Sequence, residues 1–300
     1  MSDEEARATF QAIRWADNGG EPYCPKCGCL KVYAFATRPI WKCSGCQHQF
    51  SVTSGTIFDN RKRPIRDYLL AIAIFANGAK GHSALQLSRD LDCQYKTAFV
   101  LAHKLREAMA SEQSNLALAG TVEIDGAYFG GHIKPENKAE NRADRRLAEE
   151  QTGKRQSVVV ARERGGRTLS IVVKKESHGT TFIRERVAQG SIVHADEARG
   201  WDKLHAAFEM RRVNHSVEFM SADGACTNQA ESFFSRLRRS EIGVHHRISG
   251  RYLDMYAAEM TWREDRRRTS NGEQSRTIAA LALRHPKSSA WARYWQRSAA

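Results

Sequence analysis

Apolar positions follow a helical period in the first third of the chain and a strand period in the middle. The stretch "RPIRDYLLAIAIFANG" predicts a helix closed by Gly78 or Gly81. In the following "HSALQLSRDLDCQYKTAFVLAHKLREAM", Ser83 caps a helix running through Leu91, with Leu85, Leu87 and Leu91 on its apolar side. A break at Asp92 and Cys93 leads into a second helix carrying Ala98, Val100, Leu101 and Leu105. Two short helices joined by a tight turn match a helix-turn-helix, in which Gln94, Tyr95, Lys96 and Thr97 open the recognition helix and face the DNA major groove. A plain helical hairpin linking domains would show the same pattern.

Past Gly120 the period shortens. "TVEIDGAYFGG" predicts a strand with Val122 and Ile124 on one face and Thr121, Glu123 and Asp125 on the other. "QSVVVARERGGRTLSIVV" reads as a hairpin turning at Gly165 and Gly166. "TTFIRERVAQG" suits a helix ended by Gly190, "SIVHA" a short buried strand, and "EARGWDKLHAAF" a further helix. Strands and helices in this order form an α/β layer with a mixed sheet. The charged stretch from Lys134 to Arg155 has no apolar period and reads as an exposed insertion. In "CTNQAESFFSRLRRSE", Phe233, Phe234 and Leu237 make an apolar stripe, while Glu231, Ser235 and Arg238 make a polar one.

Ahead of the helices, "CPKCGC" and "CSGC" give Cys24-x2-Cys27 and Cys43-x2-Cys46, separated by fifteen residues. Gly28 and Gly45 supply the tight turns of two knuckles, and "KVYAF", "IWKC" and "HQFSV" read as short strands. Four thiolates so placed form a tetrahedral site for a structural Zn2+ ion. Cys29 has no second pair and reads as a bystander, and Cys93 as a small core residue. A redox dithiol reading lacks the βαβ context it needs.

Charge narrows the partner. Lys and Arg outnumber Asp and Glu by 47 to 34, for a net charge of +13, and such an excess favours a polyanion such as nucleic acid. Nine arginines lie between Arg236 and Arg268, some of them within reach of Glu241, Glu259, Glu264 or Asp265. His245 and His246 fall in a loop-like stretch, and "SSAWARYWQRSAA" is a basic aromatic tail suited to packing on a helix or stacking on a base. No stretch approaches the roughly 20 apolar residues of a membrane helix. The acidic start "MSDEEARATF" is no signal peptide, so a cytoplasmic, nucleoid-associated protein is expected. The nucleotide-binding pattern GxxxxGK[ST] is absent.

An apolar strand that ends at Ala195 and gives way to Asp196 and Glu197 places charge where burial would be costly, unless the tip opens to water or an ion. Asp125 and Asp196 both end strands of one sheet, where an α/β fold opens its ligand crevice. Glu231 starts a helix able to pack beside them. It reads in two ways: as a third ligand, or as the closing member of a capping box with Asn228 as N-cap. Three converging carboxylates call for a cation, and an all-oxygen set suits Mg2+ or Mn2+.

These stretches, "VEIDGAYFGG", "HADEARGWDKL" and "TNQAESFFSRLRRSEIGVHHRISGRYLDMYAAEMTWREDRRR", resemble bacterial insertion-sequence transposases of the DDE type, in the ISXO2-like group. The 34 residues between Asp196 and Glu231 match the short spacing of that superfamily. The resemblance implies a zinc ribbon (1–58), a helix-turn-helix module (59–115), an RNase H-like α/β catalytic domain with a mixed sheet (116–270) and a basic tail (271–300). It implies Asp125, Asp196 and Glu231 as magnesium ligands, with Asn228 as a rival third ligand. Arg238 is implied as a contact to the DNA backbone near the scissile phosphate, flanked by Arg236 and Arg239. Two positions depart from the group: Arg238 stands where lysine is frequent, and Cys226 where many relatives have histidine. The implied function is binding of element ends and target DNA, metal-dependent hydrolysis and strand transfer, by a homo-oligomer in the DNA complex. A DNA-binding regulator without catalysis and an RNase H-like nuclease without strand transfer are the alternatives.

Overall fold

The four cysteines, the helical run and the alternating strands each build their own part of the fold. A computed structural model of the chain describes residues 1–130, 138, 140, 155–214, 221 and 224–297. The charged stretch 134–155 lies, except for 138, 140 and 155, outside the described residues. The chain forms two compact units, one of Met1–Glu112 with Arg268–Ala300 and one of Gln113–Arg267.

The first unit opens with α1 (Asp3–Arg14), started by a capping box between Ser2 and Glu5. The ribbon follows as the antiparallel strands β1 (Val32–Ala34), β2 (Trp41–Cys43) and β3 (Gln49–Phe50). Trp15, 1% exposed, joins helix to ribbon by packing edge-on against Trp41 and Phe50. Next come α2 (Ile65–Asn77), α3 (Ala84–Asp90) and α4 (Tyr95–Ser111). Ser83 caps α3 by accepting from the Gln86 amide, and Asp92, at φ 45°, makes the turn into α4.

The second unit is built on a five-stranded sheet. Its strands are β4 (Thr121–Phe129), β5 (Gln156–Glu163), β6 (Thr168–Val173), β7 (Ile192–Asp196) and β8 (Glu209–Val213), in the spatial order β6-β5-β4-β7-β8. The β4-β5-β6 meander is antiparallel and turns at Gly165, whose φ of +73° few other residues adopt. β4-β7 and β7-β8 are parallel, as crossover connections require. Helix α5 (Gly179–Arg186) makes the first crossover and a 3-10 helix (Arg199–Ala206) the second. Helices α6 (Asn228–Ser240) and α7 (Leu253–Asp265) cover one face. Val122 and Ile124 enter the core under α5, while Ala127 and Phe129 enter the other with Phe233, Phe234 and Leu237.

Three expectations change. The helix expected to run to Gly190 stops at Arg186, because Leu118 exchanges backbone hydrogen bonds with Arg186 and Ala188 and draws the chain out straight. The segment after Asp196 is a 3-10 rather than an α-helix, tied back by the Asp196 carboxylate, which accepts from the Ala198 amide and the Trp201 indole. β8, sequence EMRRV, was not anticipated: it is an edge strand with one fully buried residue, Val213, and so carries little apolar alternation.

The stretch 271–300 was read from the sequence as a basic tail; its described residues, 271–297, pack within the first unit as α8 (Asn271–Arg284) and α9 (Tyr294–Arg297). Trp291 meets Phe99 of α4 edge-on and Tyr294 meets it at a tilt, and the Trp295 indole donates to the Lys96 carbonyl. Among the described residues no helix is long and apolar enough to cross a membrane.

Candidate active site

Among the described residues, two groups of His, Cys, Asp or Glu bring ligand atoms within 4.8 Å of one another. The first is Cys24, Cys27, Cys43 and Cys46. Cys24 Sγ lies 3.6 Å from Cys46 Sγ, and Cys27 Sγ 3.6 Å from Cys43 Sγ. Burial alone would raise the Cys24 thiol, yet backbone N–H groups of Lys26 and Cys27 and neighbouring thiols outweigh it and bring it to about 7. The Cys46 N–H pulls Cys43 down in the same way. Cys27 goes the other way: the Cys29 amide favours its thiolate, but the Cys46 and Cys43 thiols outweigh it and push it up to about 12. Four sulfurs gathered within 4.8 Å suit tetrahedral zinc. Cys29 stays outside, against Ser44 and the Lys31 carbonyl.

The second group is Asp125, Glu176 and Asp196, all partly exposed. Asp125 lies within β4 and Asp196 ends β7. Because these strands run parallel in the register Glu123 to His194, two further residues bring Asp125 level with Asp196 on one face. Glu176 enters from the 3-10 turn after β6, and its side chain lies over Gly126. A Cβ at Gly126 would come 2.4 Å from Glu176 Cγ, so glycine is what lets the third carboxylate in. Desolvation, opposed by the Gly126 amide but joined by the charges of Asp196, Glu176 and Glu231, raises Asp125 to about 7. Burial first and Asp196 second raise Glu176 to about 7. Oxygen donors held together at this electrostatic cost fit a divalent cation, which would relieve both the repulsion and the lost hydration.

Glu176 is the residue that sequence reasoning missed. The sequence signal was faint: two lysines, Lys174 and Lys175, separate Glu176 from the end of β6, whereas Asp196 is the last residue of β7. Glu231 is exposed on α6, outside the 4.8 Å group, yet close enough for its charge to act on Asp125. Asn228 is also exposed and outside that group. The capping box considered for Asn228 and Glu231 does not form. Thr227 is the N-cap residue, and the amides of Gln229 and Ala230 donate instead to Glu123 on β4. Arg238 and Arg239 are exposed on α6, with Arg238 over the Phe129 ring. Arg236 pairs with Glu264, which also takes Arg162 and Arg267, so this expected DNA contact is engaged inside the fold. In the first unit Gln94, Tyr95, Lys96 and Thr97 are all exposed where α4 begins.

A five-stranded mixed sheet with acidic residues level with one another on adjacent parallel strands is an RNase H-like domain of the DDE kind, here in a chain that also carries a zinc ribbon. Residues 117–265 match the ISXO2-like transposase domain and residues 1–49 the transposase zinc-ribbon domain. The chain belongs to the ISXO2-like DDE transposase family. It is similar, at 26% identity over 296 residues, to a Halobacterium salinarum protein described as an uncharacterized protein in transposable element ISH50. That alignment covers 94% of this chain and 98% of the relative. Among solved structures, the Mos1 strand transfer complex aligns at 12% identity and a TM-score of 0.25 over 74% of this chain and 80% of that one, too slight a likeness to bear on the fold.

Proposed function

We propose that this chain binds the ends of an insertion element and catalyses divalent-cation-dependent hydrolysis of the DNA backbone followed by strand transfer. The observation that carries this reading is the convergence of Asp125, Glu176 and Asp196 within 4.8 Å on a family-matched DDE domain. Asp125, Glu176 and Asp196 would hold Mg2+ or Mn2+, which would supply Lewis acidity toward an attacking water or hydroxyl and the leaving oxygen. Asp125 and Asp196 hold the site from the sheet, Glu176 closes it, and Glu231 adds a fourth negative charge from α6. Arg238 and Arg239 contact the phosphate backbone beside it, through charge rather than sequence. Gln94, Tyr95, Lys96 and Thr97 at the start of α4 read the element end. Zn2+ on the four ribbon thiols holds the N-terminal fold.

Only the second step, strand transfer, conserves phosphodiester bonds. Water cleaves one phosphodiester and leaves a 3′-hydroxyl on the element. That hydroxyl then displaces a 3′-oxygen of the target strand, making one phosphodiester for each one broken. No nucleotide cofactor enters the balance. Holding two element ends at once calls for more than one copy of the chain in the DNA complex.

The test is incubation of the protein and Mg2+ with a labelled element end and a target plasmid. Joined products are expected. Nicks without joining would favour a nuclease, and neither product would favour a DNA-binding regulator.

A further inference from the structure

The parallel strands β4 and β7 carry two tiers of polar side chains on the same face. The outer tier, Asp125 and Asp196, belongs to the carboxylate site. The inner tier, Glu123 and His194, is directly paired in the sheet register and almost completely buried, at 1% and 2% exposure. A glutamate so enclosed needs a full set of partners, and four donors surround it. Glu123 Oε2 accepts from the backbone amides of Gln229 at 2.8 Å and Ala230 at 3.4 Å. Glu123 Oε1 accepts from Arg164 Nε at 2.9 Å and faces the Cys226 thiol at 3.7 Å.

The first turn of α6 therefore takes its anion from the sheet, a placement favoured by its unpaired amides and its dipole. His194 completes the joint. Its Nδ1 lies 3.0 Å from Arg164 Nη2 and accepts from the Cys226 amide at 3.3 Å. Two donors aimed at one ring nitrogen make it the unprotonated one and place the ring proton on Nε2. Arg164 Nη2 also meets Cys226 Sγ at 2.7 Å, and Arg162 Nε donates to the Gln229 side chain at 2.9 Å. Residues of β4, β7 and the β5-β6 turn thus all grip the segment 226–230, immediately before Glu231.

We propose that Glu123 is a positioning residue for the cation site: it locks the start of α6 to the strand that carries Asp125 and so fixes where Glu231 stands relative to Asp125. Glu123 touches neither cation nor DNA; it acts through Glu231. The inference rests on the proposed reading of Glu231 as part of that site. It also explains why α6 lacks a side-chain cap of its own.

The test is a two-by-two set of variants, wild type, E123Q, E231Q and E123Q/E231Q, in the zinc-loaded full chain, with Mn2+ binding followed by electron paramagnetic resonance. Binding needs no DNA and no turnover. E123Q is expected to weaken Mn2+ binding about 10-fold, the usual effect of removing a group that orients a ligand. In the E231Q background the same change is expected to cost less than about 2-fold, because the two residues act in series. A merely structural role would give the same fold-loss in both backgrounds, and that result, or wild-type binding by E123Q, overturns the proposal. E231Q binding Mn2+ as wild type does would remove Glu231 from the site and overturn the reading beneath it. Zinc content and thermal unfolding report the fold. Where E123Q lowers the yield of folded protein, Glu123→Asp carries the same test, since it keeps the charge beside Arg164 while shortening the arm that reaches the Gln229 amide.

Discussion

The two metal-ligand clusters face different electrostatic situations. In the ribbon, backbone N–H groups draw Cys24 and Cys43 down toward thiolate although burial works against it, while Cys27, despite the Cys29 amide, is pushed up to about 12 by the Cys46 and Cys43 thiols. In the catalytic unit, burial and mutual repulsion hold Asp125 and Glu176 up at about 7, and the Gly126 amide offsets only part of the effect on Asp125. One site is prepared for its ion in part by its own backbone. The other is under strain until an ion arrives, and strain of that kind suits a site that must exchange charge during a reaction. A structural site and a catalytic site differ here less in ligand count than in what stabilises the ligands without the metal.

The largest effect should come from the prepared site. Removing zinc, or replacing Cys43 by Ser, should unfold the ribbon, because metal binding there is folding free energy on the order of 10 kcal/mol. Zinc content together with circular dichroism checks this; a ribbon still folded without metal would show that Trp15, Trp41 and Phe50 suffice on their own. Next in size, Asp125→Asn or Asp196→Asn should lower strand cleavage by on the order of 1000-fold while leaving zinc content unchanged and the protein folded. Glu176→Gln should weaken Mn2+ binding roughly 10- to 100-fold. Gly126→Ala should do likewise by displacing the Glu176 side chain, whose Cγ would lie 2.4 Å from the new Cβ. Unchanged Mn2+ binding in both would remove Glu176 from the site.

The raised carboxylates also set a pH dependence. Below about 7 protons occupy Asp125 and Glu176, so Mn2+ affinity should rise with pH up to that value and then level off. The sign for stability is opposite. With folded values above the unfolded ones, these groups stabilise the cation-free unit fully at acid pH, and that contribution is lost as pH rises through about 7. Thermal unfolding with and without Mn2+ across this range checks both slopes. The smallest effect belongs to the surface: Arg239→Ala should reduce the slope of log affinity for DNA against log salt by about 1, uniformly across sequences.

How far each site could be read from the chain follows from how it is assembled. The ribbon ligands sit in two knuckles whose spacing alone brings the sulfurs together, so Cys24, Cys27, Cys43 and Cys46 were legible at once. Ser83 as a cap, the hairpin at Gly165 and the two faces of β4 were also legible, because each is a local pattern. Asp196 was legible because a charge at an apolar strand tip is conspicuous; Asp125 was expected at a tip too, but it lies in the middle of β4, which continues to Phe129. Glu176 was not legible, since its approach depends on a turn and on the missing side chain of Gly126. Glu231 offered a plausible local partner in Asn228, whereas its helix is capped from the sheet by Glu123, a contact spanning more than a hundred residues. β8 escaped because an edge strand with two arginines shows too little apolar alternation.

The central claim is that Asp125, Glu176 and Asp196 share a divalent cation. Crystals grown with Mn2+ and measured at its absorption edge test it directly. The account predicts an anomalous peak bounded by oxygens of those three side chains at about 2.0–2.6 Å. Crystals with Mn2+ elsewhere, and these carboxylates bound only by water or protein, would contradict it.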